Sequence, residues 1–266
     1  MKLGIMQGRL VDSEKKNRIQ FFPSKNWHKE ILFMKLVDLK ILEWTINSEN
    51  IGINHFYNKK KNLELIKFLK HTSIKIPSVT CDFFMQKPFF KKIKYKKTIS
   101  DLKKVIKLSK NVGTKLIVLP LVDNASIENS DHEKKFIKEI KKISKLLSND
   151  QKIIFEIDYP PKKIMEFMSQ LNSKFGINYD TGNSASMGYS FSDEKKYFKF
   201  VKNIHIKDRT FKGKSVRLGK GHFKFDEFFR FIKKIRYKGN LILQTARSKN
   251  HIREILINKK FVEKYL

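Results

Sequence analysis

Short apolar runs bounded by polar or turn residues recur along the chain. Each run is four to seven residues long and rich in β-branched side chains, as is typical of strands buried on both faces. Eight such runs lie at residues 3–7, 41–46, 74–80, 116–122, 153–157, 176–180, 201–207 and 241–244. Their starts are separated by about 35 residues on average, the length of one βα unit. The pattern therefore predicts eight parallel strands.

Between these strands, apolar residues recur at spacings of three and four, which indicates amphipathic helices. The helical segments lie at residues 31–37, 63–69, 102–108, 136–147, 164–171 and 225–235, with a closing helix at about 250–265. Uninterrupted alternation favours a closed barrel over an open doubly wound sheet, and no glycine-rich nucleotide-binding loop follows any strand. We therefore predict a single α/β domain over residues 1–266, a (β/α)8 TIM barrel with eight parallel strands and outer helices.

The net charge of +32 adds a question about partners. A basic surface attracts nucleic acid, anionic membranes and phosphorylated substrates alike. The lysines are spread over nearly every predicted helix, so a general compositional bias explains the charge better than a dedicated binding face. Residues 89–97 form the densest basic patch with aromatic side chains, and we interpret them as a solvated loop rather than a polyanion site. Nucleic acid and membranes are not expected partners.

The first residues and the single cysteine bear on cellular location. Gln7 and Arg9 interrupt the apolar run that a signal peptide would need, and no later segment approaches about 18 uncharged apolar residues. We therefore expect a cytoplasmic protein. Cys81 alone excludes an internal disulfide and any multi-cysteine metal site, and we expect it to be a small buried residue on a strand.

Four predicted strands in the second half of the chain end in a polar residue that could bind a metal. Glu156, Asp180, His205 and Gln244 stand at these ends, and the carboxyl ends of barrel strands form the active-site face. A buried carboxylate needs a partner, which a shared divalent ion would supply. This ligand set favours Mn²⁺ or Mg²⁺, with Co²⁺ or Zn²⁺ also compatible. The alternative is a metal-free salt-bridge network with the neighbouring cations Lys207, Arg209 and Arg247.

The same strand ends carry motifs that resemble a known family. The segments 156–158 (EID), 179–183 (YDTGN), 205–209 (HIKDR) and 218–221 (LGKG) are similar to those of the sugar phosphate isomerase/epimerase family, the xylose isomerase-like barrels. The resemblance covers essentially the whole chain. It implies a metal held by Glu156, Asp180, His205 and the residue at position 244, and it implies a carbohydrate substrate.

The chain departs from the family pattern at two positions. Asn183 replaces a histidine that often follows the strand-six aspartate, and Gln244 replaces a glutamate. In the family, epimerases use the strand-five and strand-eight glutamates as two bases on opposite faces of the substrate. Gln244 cannot take up a proton, although its amide oxygen can still bind a metal. A scheme with one base, Glu156, that removes the proton beside a metal-polarised carbonyl remains.

Further residues near the strand ends are candidates for catalysis or substrate binding. Lys207 shares the parity of His205 and should point inward, as an acid/base partner, an anion clamp, or a structural partner of Asp158 or Asp208. Three arginines near one mouth would favour a phosphate or carboxylate on the substrate, because guanidinium binds such groups bidentately. Trp44 could stack on a sugar or belong to the core. The predicted substrate contacts are Arg9, Glu43, Trp44, Asn183, Arg209 and Arg247.

The sequence therefore predicts a metal-dependent sugar or sugar-phosphate isomerase or epimerase, with a small carbohydrate partner that is anionic. A homo-oligomer is compatible with this prediction. One alternative is a barrel that binds sugar without catalysis, with Gln244 as a relic. The other is a nucleic-acid enzyme similar to apurinic-site endonucleases, which share the barrel but need several more histidines than this chain places at strand ends.

Overall fold

In a computed structural model, which describes residues 1–12 and 20–266, eight parallel strands close into a barrel. The strands are β1 Lys2–Met6, β2 Ile41–Thr45, β3 Lys75–Thr80, β4 Leu116–Leu121, β5 Lys152–Ile157, β6 Phe175–Asp180, β7 Val201–Ile206 and β10 Asn240–Leu243. Each predicted strand is confirmed to within one residue. The order around the barrel is β1, β10, β7, β6, β5, β4, β3 and β2.

Helices connect the strands and surround the barrel. They are α1 Trp27–Phe33, α2 Lys59–Lys70, α3 Asp82–Gln86, α4 Lys97–Val112, α5 Ser130–Ser144, α6 Pro161–Ser169, α7 Thr181–Met187, α8 Phe191–Glu194, α9 Phe225–Lys234 and α10 His251–Glu263. The short helices α3, α7 and α8 were not predicted, since none has enough turns to show a helical period. After β7, the strands β8 Asp208–Arg209 and β9 Ser215–Val216 form a small antiparallel hairpin.

Successive side chains of each strand point alternately outward, toward the helices, and inward, into the barrel lumen. Outward residues such as Trp44, Phe155 and Tyr179 belong to one large apolar cluster between the strands and the helices. Inside the barrel, a small cluster of Met6, Ile41 and Ile242 is the only separate apolar group among the described residues. The lumen above it is polar, because Glu43 pairs with Ser78 and Asp180 pairs with His205 in the strand register. The polar layer lies directly below the pocket described next.

Two expectations about individual segments can be compared with the fold. In the basic patch, Phe90 is buried and Phe89 packs against the core, where both rings contact Phe84 and Phe136. These rings are therefore not free to stack on a polyanion. Cys81 is a fully buried free thiol directly after β3, and burial raises its pKa. In the described residues, no helix is long and apolar enough to cross a membrane.

Candidate metal centre and pocket

Three of the four predicted ligands meet at the carboxyl ends of neighbouring strands. Glu156 of β5, Asp180 of β6 and His205 of β7 are buried, and each offers a ligand atom within 4.8 Å of the others. His205 Nδ1 lies 3.2 Å from Glu156 Oε2 and 3.9 Å from Asp180 Oδ2. Within the described ranges, this is the one cluster of three or more His, Cys, Asp or Glu residues that could hold a metal ion.

Local structure after β6 fixes the two carboxylates. Asp180 caps α7, because its Oδ1 accepts the Asn183 backbone N–H at 2.8 Å. The Asn183 side chain donates from Nδ2 to Glu156 Oε1 at 2.9 Å. Gly182 is required by close approach, since a Cβ there would lie 2.7 Å from Lys207 Cγ and 3.1 Å from Asp180 Oδ1. The glycine thus lets the Lys207 stem pass beside the cluster, where its charge opposes the effect of burial on the pKa of each carboxylate.

Glu43 orients His205 from below. Its Oε1 lies 2.6 Å from His205 Nε2, and its two oxygens also accept hydrogen bonds from the hydroxyls of Ser78 and Thr80, each at 2.6 Å. Asn203 Nδ2 donates to Glu43 Oε2 at 2.9 Å. A carboxylate can only accept, so His205 carries a proton on Nε2 and turns Nδ1 toward Glu156 and Asp180. This is the carboxylate–histidine arrangement that orients ligands in metal sites.

A chain of amides reinforces that orientation. Asn203 Nδ2 donates to Asn178 Oδ1 at 2.7 Å, which leaves the Asn178 NH2 group pointing at His205 Nδ1, 3.0 Å away. Because Glu43 only accepts, the Asn203 amide has one consistent orientation, and the Asn178 amide follows from it. The NH2 group of Asn178 can donate to Nδ1 only when His205 is neutral, which is the form of histidine that binds metals.

The carboxylates also control the charge of His205. Burial disfavours the imidazolium, but Glu43 and Glu156 attract it strongly, and the pKa of His205 is raised to about 10. Burial raises the pKa of Glu43 and of Glu156, yet the imidazolium outweighs burial and both pKa values are lowered. For Asp180, burial dominates and its pKa is raised. A cation that binds Nδ1 must displace its proton, so metal binding should release protons.

Gln244, the fourth predicted ligand, follows β10 and lines the same pocket. Its Nε2 donates to Gln20 Oε1 at 2.9 Å, which directs its own Oε1 elsewhere. That oxygen is buried and has no hydrogen-bond partner among residues 1–12 and 20–266. Asp180 Oδ2 is buried and unpartnered in the same described part of the chain. Buried acceptors without donors are costly unless a cation or water satisfies them.

These observations fit a divalent cation. The donor set is mixed, with one oxygen each from Asp180 and Gln244 that accepts no hydrogen bond, the carboxylate of Glu156 and the imidazole nitrogen of His205. Mn²⁺, Mg²⁺, Co²⁺ and Zn²⁺ all accept such a set. Glu156, Asp180, His205 and Gln244 are the residues that would hold it.

A pocket of about 400 Å³ opens above the cluster. Glu156 and Gln244 are in its wall, together with three further residues predicted from the sequence, Lys207, Arg209 and Asn183. Arg209 Nε and Nη2 bind Gly213 O at 3.1 and 3.0 Å, and its Nη1 is 3.3 Å from Asn183 Oδ1. The pocket lining therefore combines two cationic side chains with the carboxylate of Glu156.

The other two predicted arginines do not line this pocket. Arg247 donates from Nη1 to Gly8 O and from Nη2 to Val11 O, and its guanidinium lies 4.9 Å from the Phe21 ring. Backbone carbonyls after β1 thus occupy the group that was predicted to bind substrate. Arg9 is 3% exposed, and burial together with Arg247 lowers its pKa to about 10. Of the three arginines predicted to surround the pocket opening, Arg209 is the one that lines the pocket.

Two predicted substrate contacts from β2 are also placed elsewhere. Trp44 is fully buried, donates from Nε1 to Asn54 Oδ1 at 3.0 Å and packs against Trp27, His55 and Phe56. It belongs to the core, the alternative considered above, because it points away from the lumen. Glu43 is fully buried beneath His205, so it contacts a candidate metal ligand and does not line the pocket.

Two acidic residues of the pocket were not predicted from the sequence, the exposed Asp123 and the buried Asp82. Asp82 opens α3 directly after β3, is buried and lines the pocket. Gln20 Nε2 donates to its Oδ1 at 2.9 Å and Asn47 Nδ2 to its Oδ2 at 3.2 Å. Its position one residue past Cys81, at the end of a predicted strand, was the available signal.

Comparison with known proteins defines the class of this barrel. The family model described as xylose isomerase-like TIM barrel matches residues 43–263. The chain therefore belongs to the xylose isomerase-like TIM barrel family, as the resemblance of its motifs implied. A curated relative from Haemophilus influenzae, named "Putative L-ribulose-5-phosphate 3-epimerase SgbU", is 23% identical over 257 residues, which are 89% of this chain and 90% of that protein.

Solved structures share the fold at low sequence identity. D-psicose 3-epimerase with D-tagatose from Clostridium cellulolyticum H10 has a TM-score of 0.76 at 13% identity and covers 100% of this chain and 99% of that one. A xylose isomerase-like TIM barrel protein from Mycobacterium smegmatis in complex with magnesium has a TM-score of 0.75 at 12% identity, with 99% and 96% covered.

Proposed function

We propose that this protein is a metal-dependent sugar or sugar-phosphate isomerase or epimerase. The observation that carries the proposal is the buried cluster of Glu156, Asp180 and His205 beneath a 400 Å³ pocket, with an unpartnered oxygen on Asp180. Family membership and a relative named as a ribulose-phosphate epimerase support a carbohydrate substrate. Mn²⁺ or Mg²⁺ suits the oxygen-rich set best, and Co²⁺ or Zn²⁺ is also compatible.

Glu156 is the group best placed to move a proton. Its carboxylate lies in the pocket wall, is ionised because its pKa is lowered, and is held by Asn183 at 2.9 Å. It removes the proton from the carbon beside the substrate carbonyl. A bound divalent ion would polarise that carbonyl and stabilise the enediolate. Lys207, whose charge acts on Glu156 and Asp180, either exchanges a proton with a substrate oxygen or binds an anionic group.

The cations of the pocket favour an anionic substrate. Lys207 and Arg209 both line the pocket, and their positive charges attract a phosphate or carboxylate even though Arg209 Nε and Nη2 already donate to Gly213 O. A pocket of 400 Å³ lies at the small end of the usual range for ligand pockets, which suits a single sugar phosphate.

The test is proton exchange at the substrate carbon. L-ribulose 5-phosphate is incubated in D2O with the purified protein and Mn²⁺, and deuterium at C3 is followed by NMR. We expect incorporation that requires Mn²⁺ and is lost in Glu156→Gln by at least about 1000-fold, the usual scale for removing a catalytic base. Exchange that persists in Glu156→Gln would remove Glu156 from this role. Absence of exchange from a panel of ketoses and ketose phosphates would overturn the proposed function.

A sugar-binding protein without catalysis is the second candidate, and Gln244 is the observation that favours it, since an amide cannot exchange a proton. In that case the Mn²⁺-loaded protein binds ketose phosphates, as measured by calorimetry, without any exchange at carbon.

A further inference from the structure

We propose that Asp82 is the second acid/base group of this site and delivers a proton to the face of the substrate opposite Glu156. The inference rests on the proposed function and makes it more specific, because it assigns epimerisation rather than proton removal alone. Inversion at a carbon beside a carbonyl requires one group to take the proton and another to return one on the other face. Gln244 cannot do so.

The carboxyl group of Asp82 is built into the pocket wall. The side chain is 4% exposed, and each of its oxygens is bound by one amide, Gln20 Nε2 at 2.9 Å and Asn47 Nδ2 at 3.2 Å. Asn47 cannot turn over, because its Oδ1 accepts the Phe22 N–H at 2.7 Å. Gln20 cannot turn over either, because its Oε1 accepts from Gln244. Both amides therefore hold the carboxyl in one orientation.

The link through Gln20 connects Asp82 to position 244. Gln244 Nε2 donates to Gln20, and Gln20 Nε2 donates to Asp82, so one side chain separates the amide at the end of β10 from the carboxyl at the end of β3. A proton-bearing group, which Gln244 lacks, is thus linked to position 244 through a single side chain.

Other titratable groups of the pocket are less suited to this role. Asp158 directly follows β5, the strand that carries Glu156, and accepts a hydrogen bond from Ser126, so it lies on the same wall of the pocket as the base. Lys207 also acts on Glu156 and Asp180 from that side. Asp123 lies at the exposed rim. Asp82 approaches from β3, two strands away from β5 in the barrel order.

Its surroundings leave Asp82 able to carry a proton near neutral pH. Burial raises its pKa first, the charge of Glu156 adds to this and Glu43 contributes, while the Gln20 hydrogen bond and the charge of Arg9 oppose them. The pKa of Asp82 is about 7 as a result. A general acid works best when its pKa lies close to the working pH.

The proposed cycle is balanced. The carboxylate of Glu156 takes the C–H proton, the C–H electron pair forms the enediolate, and the carbonyl oxygen takes the negative charge. The enediolate then collapses to a carbonyl as its carbon takes the proton of the Asp82 carboxylic acid. Glu156 ends protonated and Asp82 ends as a carboxylate. Exchange of one proton with water at each group, or turnover in the reverse direction, restores the starting state.

The experiment separates proton removal from inversion. L-ribulose 5-phosphate, Mn²⁺ and D2O are used with the wild type and Asp82→Asn, and both deuterium at C3 and formation of the C3 epimer are measured. We expect Asp82→Asn to keep exchange within about 3-fold while epimer formation falls by at least about 100-fold. Asp82→Glu, which restores an acid, should recover part of the inversion. Asp123→Asn is the matched control, because Asn tolerates its positive φ of 52°.

Three results would overturn the inference. Asp82→Asn could retain epimerisation, it could lose exchange and epimerisation equally, or the wild type could exchange the proton and form no epimer. A wild type that exchanges no proton with any ketose or ketose phosphate of the panel overturns the proposed function and this inference together, so the two failures are distinguishable. Thermal unfolding and a Mn²⁺ titration of each variant identify loss of fold, and Asp82→Glu then gives the decisive comparison.

Discussion

Carboxylates are buried beside the pocket in both halves of the barrel, before and after residue 150. The two halves differ in the hydrogen-bond donors that these carboxylates have. In the later half, Asp180 leaves one oxygen unpartnered among the described residues and Glu156 faces the pocket. In the earlier half, Glu43 is enclosed by hydrogen bonds from Ser78, Thr80 and Asn203, and contacts His205. The later half contains the candidate metal ligands, and the earlier half orients one of them, His205.

This division follows from the cost of burying charge. A carboxylate in a protein interior needs several donors or a cation. Glu43 has donors on both oxygens, so it needs no metal, whereas Asp180 is held on Oδ1 alone. The two halves should therefore respond differently when a single carboxylate is replaced by its amide.

The largest expected effect is loss of metal binding in Asp180→Asn. The amide removes a charge and presents an NH2 group or a weaker oxygen to the cation. We expect Mn²⁺ affinity to fall by at least about 1000-fold, more than the 10- to 100-fold typical of groups that only support a ligand. Calorimetry or Mn²⁺ electron paramagnetic resonance measures it, with the exposed Asp193→Asn as control. Unchanged affinity would mean that the later half does not supply the ligands.

A smaller effect is expected for Glu43→Gln in the earlier half. Glutamine can still accept from His205 Nε2, but it introduces an NH2 group among the donors of Ser78, Thr80 and Asn203. His205 is then held less firmly, and Mn²⁺ affinity should fall about 10- to 100-fold. A loss as large as that of Asp180→Asn would erase the distinction between ligand and support.

The sequence predicted the later half well for a physical reason. Glu156, Asp180 and His205 each interrupt an apolar strand, and strand ends of a barrel converge at one face. Parity along a strand also separates Glu43, which points inward, from Trp44, which points outward. The same parity argument predicted that Lys207 points inward like His205. Used on β2, it would have assigned Trp44 to the core.

The side-chain contacts of the site in the earlier half could not be predicted, because they are not periodic. Gln20 reaches Asp82 across 62 residues and Gln244 across 224 residues, and Arg247 binds carbonyls of the loop after β1. Such contacts depend on how loops close over the barrel, which leaves no spacing in the sequence. Asp82 itself opens a five-residue helix, too short to show a helical pattern.

Gln244 gives a third test, because it lies where the two halves meet. In Gln244→Glu, a fourth ligand would gain a negative charge beside the cation. We expect Mn²⁺ to bind about 10-fold more tightly, since each added opposite charge strengthens a hard-cation site. The gain requires that position 244 contacts the metal. If the affinity does not change, Gln244 belongs with Gln20 and Asp82 in the supporting network of the earlier half.

The smallest effect tests whether every buried carboxyl of the later half serves the metal. Glu194 lies behind the cluster and accepts the hydroxyls of Tyr179 and Ser184, each at 2.7 Å. Burial raises its pKa from 4.5 to about 7, against the hydrogen bonds of Ser184 and Tyr179. Between these values the unfolded chain has released a proton that the folded protein keeps. The folded state is therefore favoured below the unfolded pKa, and this advantage is lost as the pH rises through 7.

In the wild type, the free energy of unfolding should fall by about 1 kcal/mol as the pH rises from about 5.5 to 6.5, because the folded protein keeps the Glu194 proton that the unfolded chain has released. Glu194→Gln keeps an acceptor for both hydroxyls and has no proton to release. Urea unfolding of the metal-free protein at several pH values measures the difference, because wild type and variant share every other titrating group. The variant should lose this part of the pH dependence, while its Mn²⁺ affinity stays unchanged. A change in affinity would extend the metal centre to α8 and make Glu194 a support for Asp180 in the way that Glu43 supports His205.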